Sequence, residues 1–367
     1  MDEPHILFSY WGRKGLAQFV LELARAAVAN QQIRASISVS KQNEAYQDFT
    51  PFGKSLFSVD TFEASLGAAS SMWRIPILRR QIASKILRDR VSAVVELMPH
   101  VWSPLIMPAA KRVGARYVTI VHDADPHPGD RTAWAKPLLD RAMVQADAVV
   151  ALSSSVAIKL AAAGKSDPAK IYTLFHPDLG FSQPRARSLA GRTSWRLLFL
   201  GRIMAYKGLP LCIEAVVRLR QEGQDVHLGV FGDGELGTNA SALDQLGAEV
   251  VNRWLSPAEI NEALQSYDAV ILPYIEASQS GVAAAALGAG IPVIATPVGG
   301  LREQVIDGVT GVLSTSVDKE SLVAATKRVF EPATYTEICK RISAERETRS
   351  MDAFLNALLK IAMSPGG

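Results

Sequence analysis

Short apolar runs alternate with longer stretches in which apolar residues recur every three or four positions, from one end of the chain to the other. The runs His5–Ser9, Ile33–Val39, Ser92–Leu97, Arg116–Val121, Ala148–Leu152 and Ile171–Phe175 predict strands. Helical periodicity fills several of the gaps, over Leu16–Asn30, Thr132–Gln145 and Ser154–Ala163. The pattern lapses around Pro177–Ser194 into Pro, Ser, Arg and Gly, then restarts. Strands are predicted at Trp195–Leu200, Val226–Phe231, Glu249–Val251, Ala269–Leu272 and Pro292–Ala295, and helices at Leu209–Gln221, Pro257–Ser266 and Gly281–Ala289. Lys319–Met363 reads as helical with no further strand.

This alternation predicts an α/β class protein with two Rossmann-like, doubly wound parallel sheets, each covered by helices on both faces. The expected division is an N-terminal domain over 1–177, a linker over 178–194, a second domain over 195–345 and a C-terminal helix over 346–367 that braces the first domain. Two such domains in tandem predict a cleft between them that strand carboxyl ends and helix N-termini face.

A chain of 367 residues is long for one hydrophobic core, which supports the same division. A hydrophobic content of 48% with 20% charged residues excludes a disordered chain, and a net charge of +3 gives no general case for nucleic acid. Two cysteines, Cys212 and Cys339, are too few for a disulfide framework and read as small buried thiols in a reducing compartment. Met1-Asp2-Glu3-Pro4 runs directly into the first apolar stretch, so no signal peptide is read there and a cytoplasmic protein is expected. The uncharged stretch Ser278–Leu301 carries Pro292 and Pro297, which predicts a buried helix and strand rather than a membrane span.

The strongest chemical signal follows the linker, at Leu198-Phe-Leu-Gly201-Arg202 and Lys207-Gly208-Leu209. A strand ends at Leu200, Gly201 permits a turn, and Arg202 and Lys207 flank a loop before a helix opens at Gly208. Two cations beside the free N–H groups of a helix start suit a diphosphate: Arg202 can grip its oxygens bidentately, and Lys207 adds a compact charge.

Gly201-Arg202 with Lys207-Gly208 resembles the diphosphate motif of the family 4 retaining glycosyltransferases, whose fold is GT-B. Other segments fall in a similar order between Ile6 and Leu313: His122-Asp123 after a strand, Ala146-Asp147 with Ser153, Gly232-Asp233-Gly234, and Gly290 to Val293 with Gly299-Gly300. The resemblance implies transfer of a hexose from a nucleotide diphosphate sugar to a glycan or lipid-linked glycan, with no cofactor beyond the donor and no metal. It also implies that His122 lies beside the anomeric carbon, and that the loop Gly12-Arg13-Lys14-Gly15 lies across the cleft from the diphosphate. One departure stands out. The family carries a Glu, seven residues and a second Glu, for the donor sugar and its ribose. Counted back from Gly290, these positions fall on Ala277 and Ala285, and Glu276 stands one residue early. The chain resembles a variant branch in which Glu276 takes the sugar-binding role and the ribose contact is unassigned.

Physical reading adds further candidates. Ser280, Gly281 and Val282 open a helix, so their N–H groups can face phosphate or sugar hydroxyls; Ser280 equally reads as a plain helix cap. Asp123, Asp125 and His127 invite a metal reading, but the prolines at 126 and 128 do not suggest converging ligands. Gly232-Asp-Gly234-Glu-Leu-Gly237 formally fits a dinucleotide fingerprint, and Arg253 suits a 2′-phosphate, which keeps an NADP-dependent oxidoreductase open; a loop near the donor base or ribose is preferred. A non-catalytic GT-B scaffold that binds a nucleotide sugar or a partner transferase also stays open, because the paired carboxylates are missing. Finally, Arg74, Arg79, Arg80, Lys85, Arg88 and Arg90 interleave with Trp73 and six Ile or Leu residues, so 73–90 is a basic amphipathic segment suited to either an anionic membrane surface or water.

Overall fold

The computed structural model describes residues 3–13, 15–63, 67, 70–125, 135–182 and 194–364. The chain divides into two compact units: residues 1–126, 130–174 and 351–367 form the first, and 127–129 with 175–350 form the second.

The first unit is built on seven parallel strands, β1 (His5–Tyr10), β2 (Arg34–Ser40), β3 (Leu56–Val59), β4 (Val91–Glu96), β5 (Arg116–Val121), β6 (Ala148–Ala151) and β7 (Ile171–Thr173). Their spatial order is β3-β2-β1-β4-β5-β6-β7, so the winding direction reverses between β1 and β4. All six residues of β1 are buried, as expected for a strand covered on both faces. The covering helices are α1 (Ala17–Ala29), α2 (Arg74–Asp89), α3 (Ser103–Arg112), α4 (Lys136–Gln145) and α5 (Ser154–Ala162), the last capped by the Ser153 side chain, which accepts from Val156 N.

The second unit has six parallel strands: β8 (Ser194–Leu200), β9 (Asp225–Phe231), β10 (Glu249–Val251), β11 (Ala269–Leu272), β12 (Val293–Ala295) and β13 (Gly311–Leu313). Their order is β10-β9-β8-β11-β12-β13, with the reversal between β8 and β11. Its helices are α6 (Leu209–Gln221), α7 (Asn239–Gln245), α8 (Pro257–Ser266), α9 (Gly281–Gly288), α10 (Lys319–Phe330) and α11 (Pro332–Ala344). Ser256 and Glu259 form a reciprocal capping box at the start of α8. The final helix α12 (Met351–Met363) belongs to the first unit, where Phe354 packs edge-on against Phe19 of α1.

The uncharged stretch is a buried helix and strand, α9 and β12. No described helix is long and apolar enough to cross a membrane. Cys212 is buried and Cys339 half-buried, and neither is in a disulfide. Two strands are absent from the sequence reading, β3 and β13. Each is an edge strand of three or four residues, too short to show either period. Of the linker expected over 178–194, residues 183–193 lie outside the described residues, and Asp178 is held by Arg349 in a buried ion pair of 3.1 Å.

Candidate functional site

Both winding reversals are where an open α/β sheet leaves a crevice beyond its strand carboxyl ends. In the second unit, the loop after β8 and the loop after β11 meet there. Gly208 makes this possible: it has a φ of +69°, and a Cβ on it would stand 1.9 Å from the carbonyl oxygen of Pro273. Ile275 N donates to Tyr206 O at 2.7 Å, which ties the two loops together.

Lys207 is half-buried at this seam, and its Nζ donates to Tyr274 Oη at 2.7 Å and lies 4.2 Å from that ring's centroid. The Tyr274 hydroxyl lies 3.3 Å from Ser280 Oγ, which caps α9 by accepting from Ala283 N at 3.2 Å. Gln304 clamps Ser280 from behind, accepting from its N at 2.6 Å and donating to its carbonyl oxygen at 3.1 Å. A chain of polar contacts therefore runs from the Lys207 ammonium to the N-terminus of α9. The amides of Gly281 and Val282 have no partner among the described residues, so two donors and the helix dipole remain available beside a cation. Arg202 is exposed on the same loop as Lys207, one residue after Gly201.

The sequence reading named Lys207, Arg202, Ser280, Gly281 and Val282 without Tyr274 or Gln304. Tyr274 is 1% exposed although it stands two residues beyond the end of β11, and a tyrosine just past a strand carboxyl end was the available signal. Nothing local marks Gln304. Glu276 is exposed two residues beyond Tyr274. Ala277 and Ala285, where the family pattern expects carboxylates, are 3% and 2% exposed and belong to the hydrophobic core.

The glycine fingerprint has a packing explanation. A Cβ on Gly232 would stand 2.0 Å from Gly201 O, and one on Gly234 would stand 2.3 Å from Ile203 O. Gly201 N donates to Phe231 O at 2.9 Å and Ile203 N to Asp233 O at 2.8 Å, so the two glycines let the strand pairing of β8 and β9 run on into the loops. Arg253 is paired with the Glu259 carboxylate of the α8 capping box and does not stand as an isolated cation.

In the first unit, His122 follows β5 and is 6% exposed. Its Nε2 donates to Leu97 O at 2.9 Å, and the ring stands edge-on to Phe19, with centroids 5.7 Å apart. Burial lowers its pKa, with the Leu97 hydrogen bond and the Asp123 charge opposing the shift, so the imidazole is neutral. A neutral ring that donates through Nε2 presents Nδ1 as an acceptor.

Beside it lies a group the sequence reading missed. Glu96, the last residue of β4, is 1% exposed and accepts from Ser103 Oγ, from Tyr117 Oη at 2.5 Å and from Thr119 Oγ1 at 3.2 Å. Burial pushes its carboxyl up to about 7 despite these donors.

Asp125 is paired with Lys165 at 2.8 Å, and His127 lies outside the described residues. Among the described residues, no three His, Cys, Asp or Glu side chains cluster to hold a metal. Gly12 O accepts from Asn43 at 2.7 Å, Gly15 is exposed with a φ of +91°, and Lys14 between them lies outside the described residues.

Residues 194–331, which span β8 to α10, match the family model described as Glycosyl transferases group 1. Through its second unit the chain thus resembles the group 1 glycosyl transferases. It is 29% identical over 236 residues to a D-inositol 3-phosphate glycosyltransferase of Mycobacterium marinum, an alignment that covers 60% of this chain and 49% of that one. The chain thus spans about half the length of the curated relatives it matches. Among solved structures, a glycosyltransferase from Rickettsia africae superposes with a TM-score of 0.74 at 16% identity, covering 99% of this chain and 98% of that one. HepE of Anabaena in complex with UDP-glucose superposes with a TM-score of 0.71 at 16% identity, covering 97% and 99%. The chain has the GT-B fold. Its Lys207, Tyr274 and Ser280 all lie inside the matched segment.

Proposed function

We propose that the chain is a retaining, metal-independent hexosyltransferase that uses a nucleotide diphosphate sugar. The acceptor in this reading is a glycan or lipid-linked glycan, in the cytoplasmic assembly of a polysaccharide or surface glycan. One observation carries it: a lysine held by a buried tyrosine at a helix N-terminus with free amides, at the winding reversal of a group 1 unit. That arrangement stabilises negative charge on a leaving diphosphate, and the relative solved with UDP-glucose supports the donor class.

In the proposed reaction the bond from the anomeric carbon to the diphosphate oxygen breaks. The acceptor oxygen bonds to that carbon from the same face and passes its proton to a departing phosphate oxygen. Lys207 and Arg202 take the metal's electrostatic role, because they act on the charge that grows as the diphosphate leaves. Glu276 is proposed for the donor sugar hydroxyls. His122, neutral, is proposed to lie beside the donor sugar and does not supply a proton.

The test is turnover with a panel of nucleotide sugars, in the presence of a chelator. Lys207→Ala and Arg202→Ala are each expected to lower kcat on the order of 10²-fold, with the fold unchanged. Near wild-type turnover in both variants would remove the reading, as would a rate abolished by the chelator.

A further inference from the structure

Helix α2 contains an asymmetry that its amphipathic role in the core does not require. Its inner face is Ile75, Leu78, Ile82 and Ile86, all buried. Its outer face follows the spacing Trp73, Ile77, Arg80, Ser84 and Leu87, steps of four, three, four and three that keep one side of a helix turned outward. Water-facing positions normally carry charge or amide groups. Here Trp73 is 64% exposed, Ile77 46% and Leu87 63%, and Met72 ahead of them is 53% exposed. Three large apolar side chains thus line a stripe roughly 21 Å long.

Up to its last residue, Asp89, the charge on this element has one sign. Residues 72–88 hold Arg74, Arg79, Arg80, Lys85 and Arg88 and no acidic residue. The first acid, Asp89, is paired with Lys85 at 2.6 Å and with Arg88 at 2.8 Å. Arg79 and Arg80 have no partner among the described residues. Packing in the core asks only for the inner face, so neither the apolar stripe nor its unpaired arginines serve the fold.

From this combination we infer that the outer face of α2 docks on the surface of an anionic phospholipid bilayer. The match is physical. A helix lying in the interface plane needs apolar side chains spread along its length, to enter the acyl boundary shallowly. It needs an indole at headgroup depth, where Trp73 stands at the helix start, and cations flanking the stripe to meet lipid phosphates. A protein partner would bury a compact patch more fully than it would follow a line of separated side chains. The inference rests on α2 alone and stands whether or not the donor reading of the second unit holds.

The test is flotation of the whole chain with vesicles of phosphatidylcholine alone, or with about a third phosphatidylglycerol. The expected result is binding to the anionic vesicles only, and release at high salt. Arg79→Gln with Arg80→Gln should weaken partitioning at least about tenfold, and Trp73→Ser with Ile77→Ser should do the same. Lys159→Gln with Lys340→Gln, which removes two exposed charges elsewhere, should leave it unchanged. Matching circular dichroism and melting curves establish that the variants fold. Equal binding to both vesicle types overturns the inference, as does no binding to either or unimpaired binding by the arginine variant. A self-association that Trp73→Ser dissolves, without vesicle binding, overturns it in favour of a protein interface.

Discussion

The carboxyl edges of the two sheets are built in opposite ways. Beyond β4 and β5, the first unit buries its polar groups: His122 is neutral and tied to the Leu97 carbonyl, and Glu96 accepts from three side-chain hydroxyls. Beyond β8 and β11, the second unit presents a half-buried ammonium, an exposed guanidinium and unpaired helix amides. Backbone-to-backbone contact at glycines forms that edge, where Gly208 meets Pro273 and Gly232 meets Gly201. Side-chain networks suit an edge that orients neutral donors and acceptors, because each buried group must be satisfied. Glycine contacts suit an edge that presents cations, because they shape the backbone without spending side chains on it.

The comparison can be broken most forcefully at Gly208. Gly208→Ala places a Cβ 1.9 Å from a backbone oxygen at a φ of +69°. The expected loss is about 3 kcal/mol or more in the stability of the second unit, read by thermal unfolding. A loss below about 1 kcal/mol would mean that the two loops are not locked together.

Glu96→Gln probes the other edge. The folded carboxyl titrates at about 7, above its ordinary value of 4.5, so between these values the native state holds a proton the unfolded chain has lost. Wild-type stability is therefore depleted as pH rises through that window. The variant lacks this titration, so its stability relative to wild type should rise by on the order of 1–3 kcal/mol from pH 4.5 to 7.5. Parallel pH–melting curves for the two proteins would show that Glu96 does not titrate this way.

Tyr274→Phe sharpens the comparison at smaller scale. It removes the hydroxyl that holds Lys207 and leaves the buried ring in place. We expect kcat/KM to fall about tenfold, close to 1.4 kcal/mol, with the melting temperature nearly unchanged. A large melting shift with unaltered kinetics would assign the tyrosine to packing rather than to positioning the ammonium.

Much of this was legible in the residues. The alternation of short and long periods leads to two parallel α/β units, since fully buried strands and covering helices leave distinct patterns over a few residues. Gly201, Arg202, Lys207 and Gly208 mark a turn with two cations between a strand end and a helix start, which are local events, and Ser280 is visible as a cap for the same reason. The glycine fingerprint is ambiguous by itself, because a spacing that suits a dinucleotide equally suits two strands that continue to pair past their ends. The stripe on α2 needed the structure only to settle which of its apolar residues face outward.

What the amino-acid order determined alone is therefore the architecture and the position of the cations along the chain. Tertiary structure decided which groups they meet. Lys207 and Tyr274 are 67 residues apart and touch because β8 and β11 are neighbours at the winding reversal. His122 and Leu97 are 25 apart and meet because β4 lies beside β5. Periodicity reports a residue's relation to its own helix or strand. Strand order sets its partners across the sheet, and those partners fix whether a lysine is held in place and whether a histidine carries a charge.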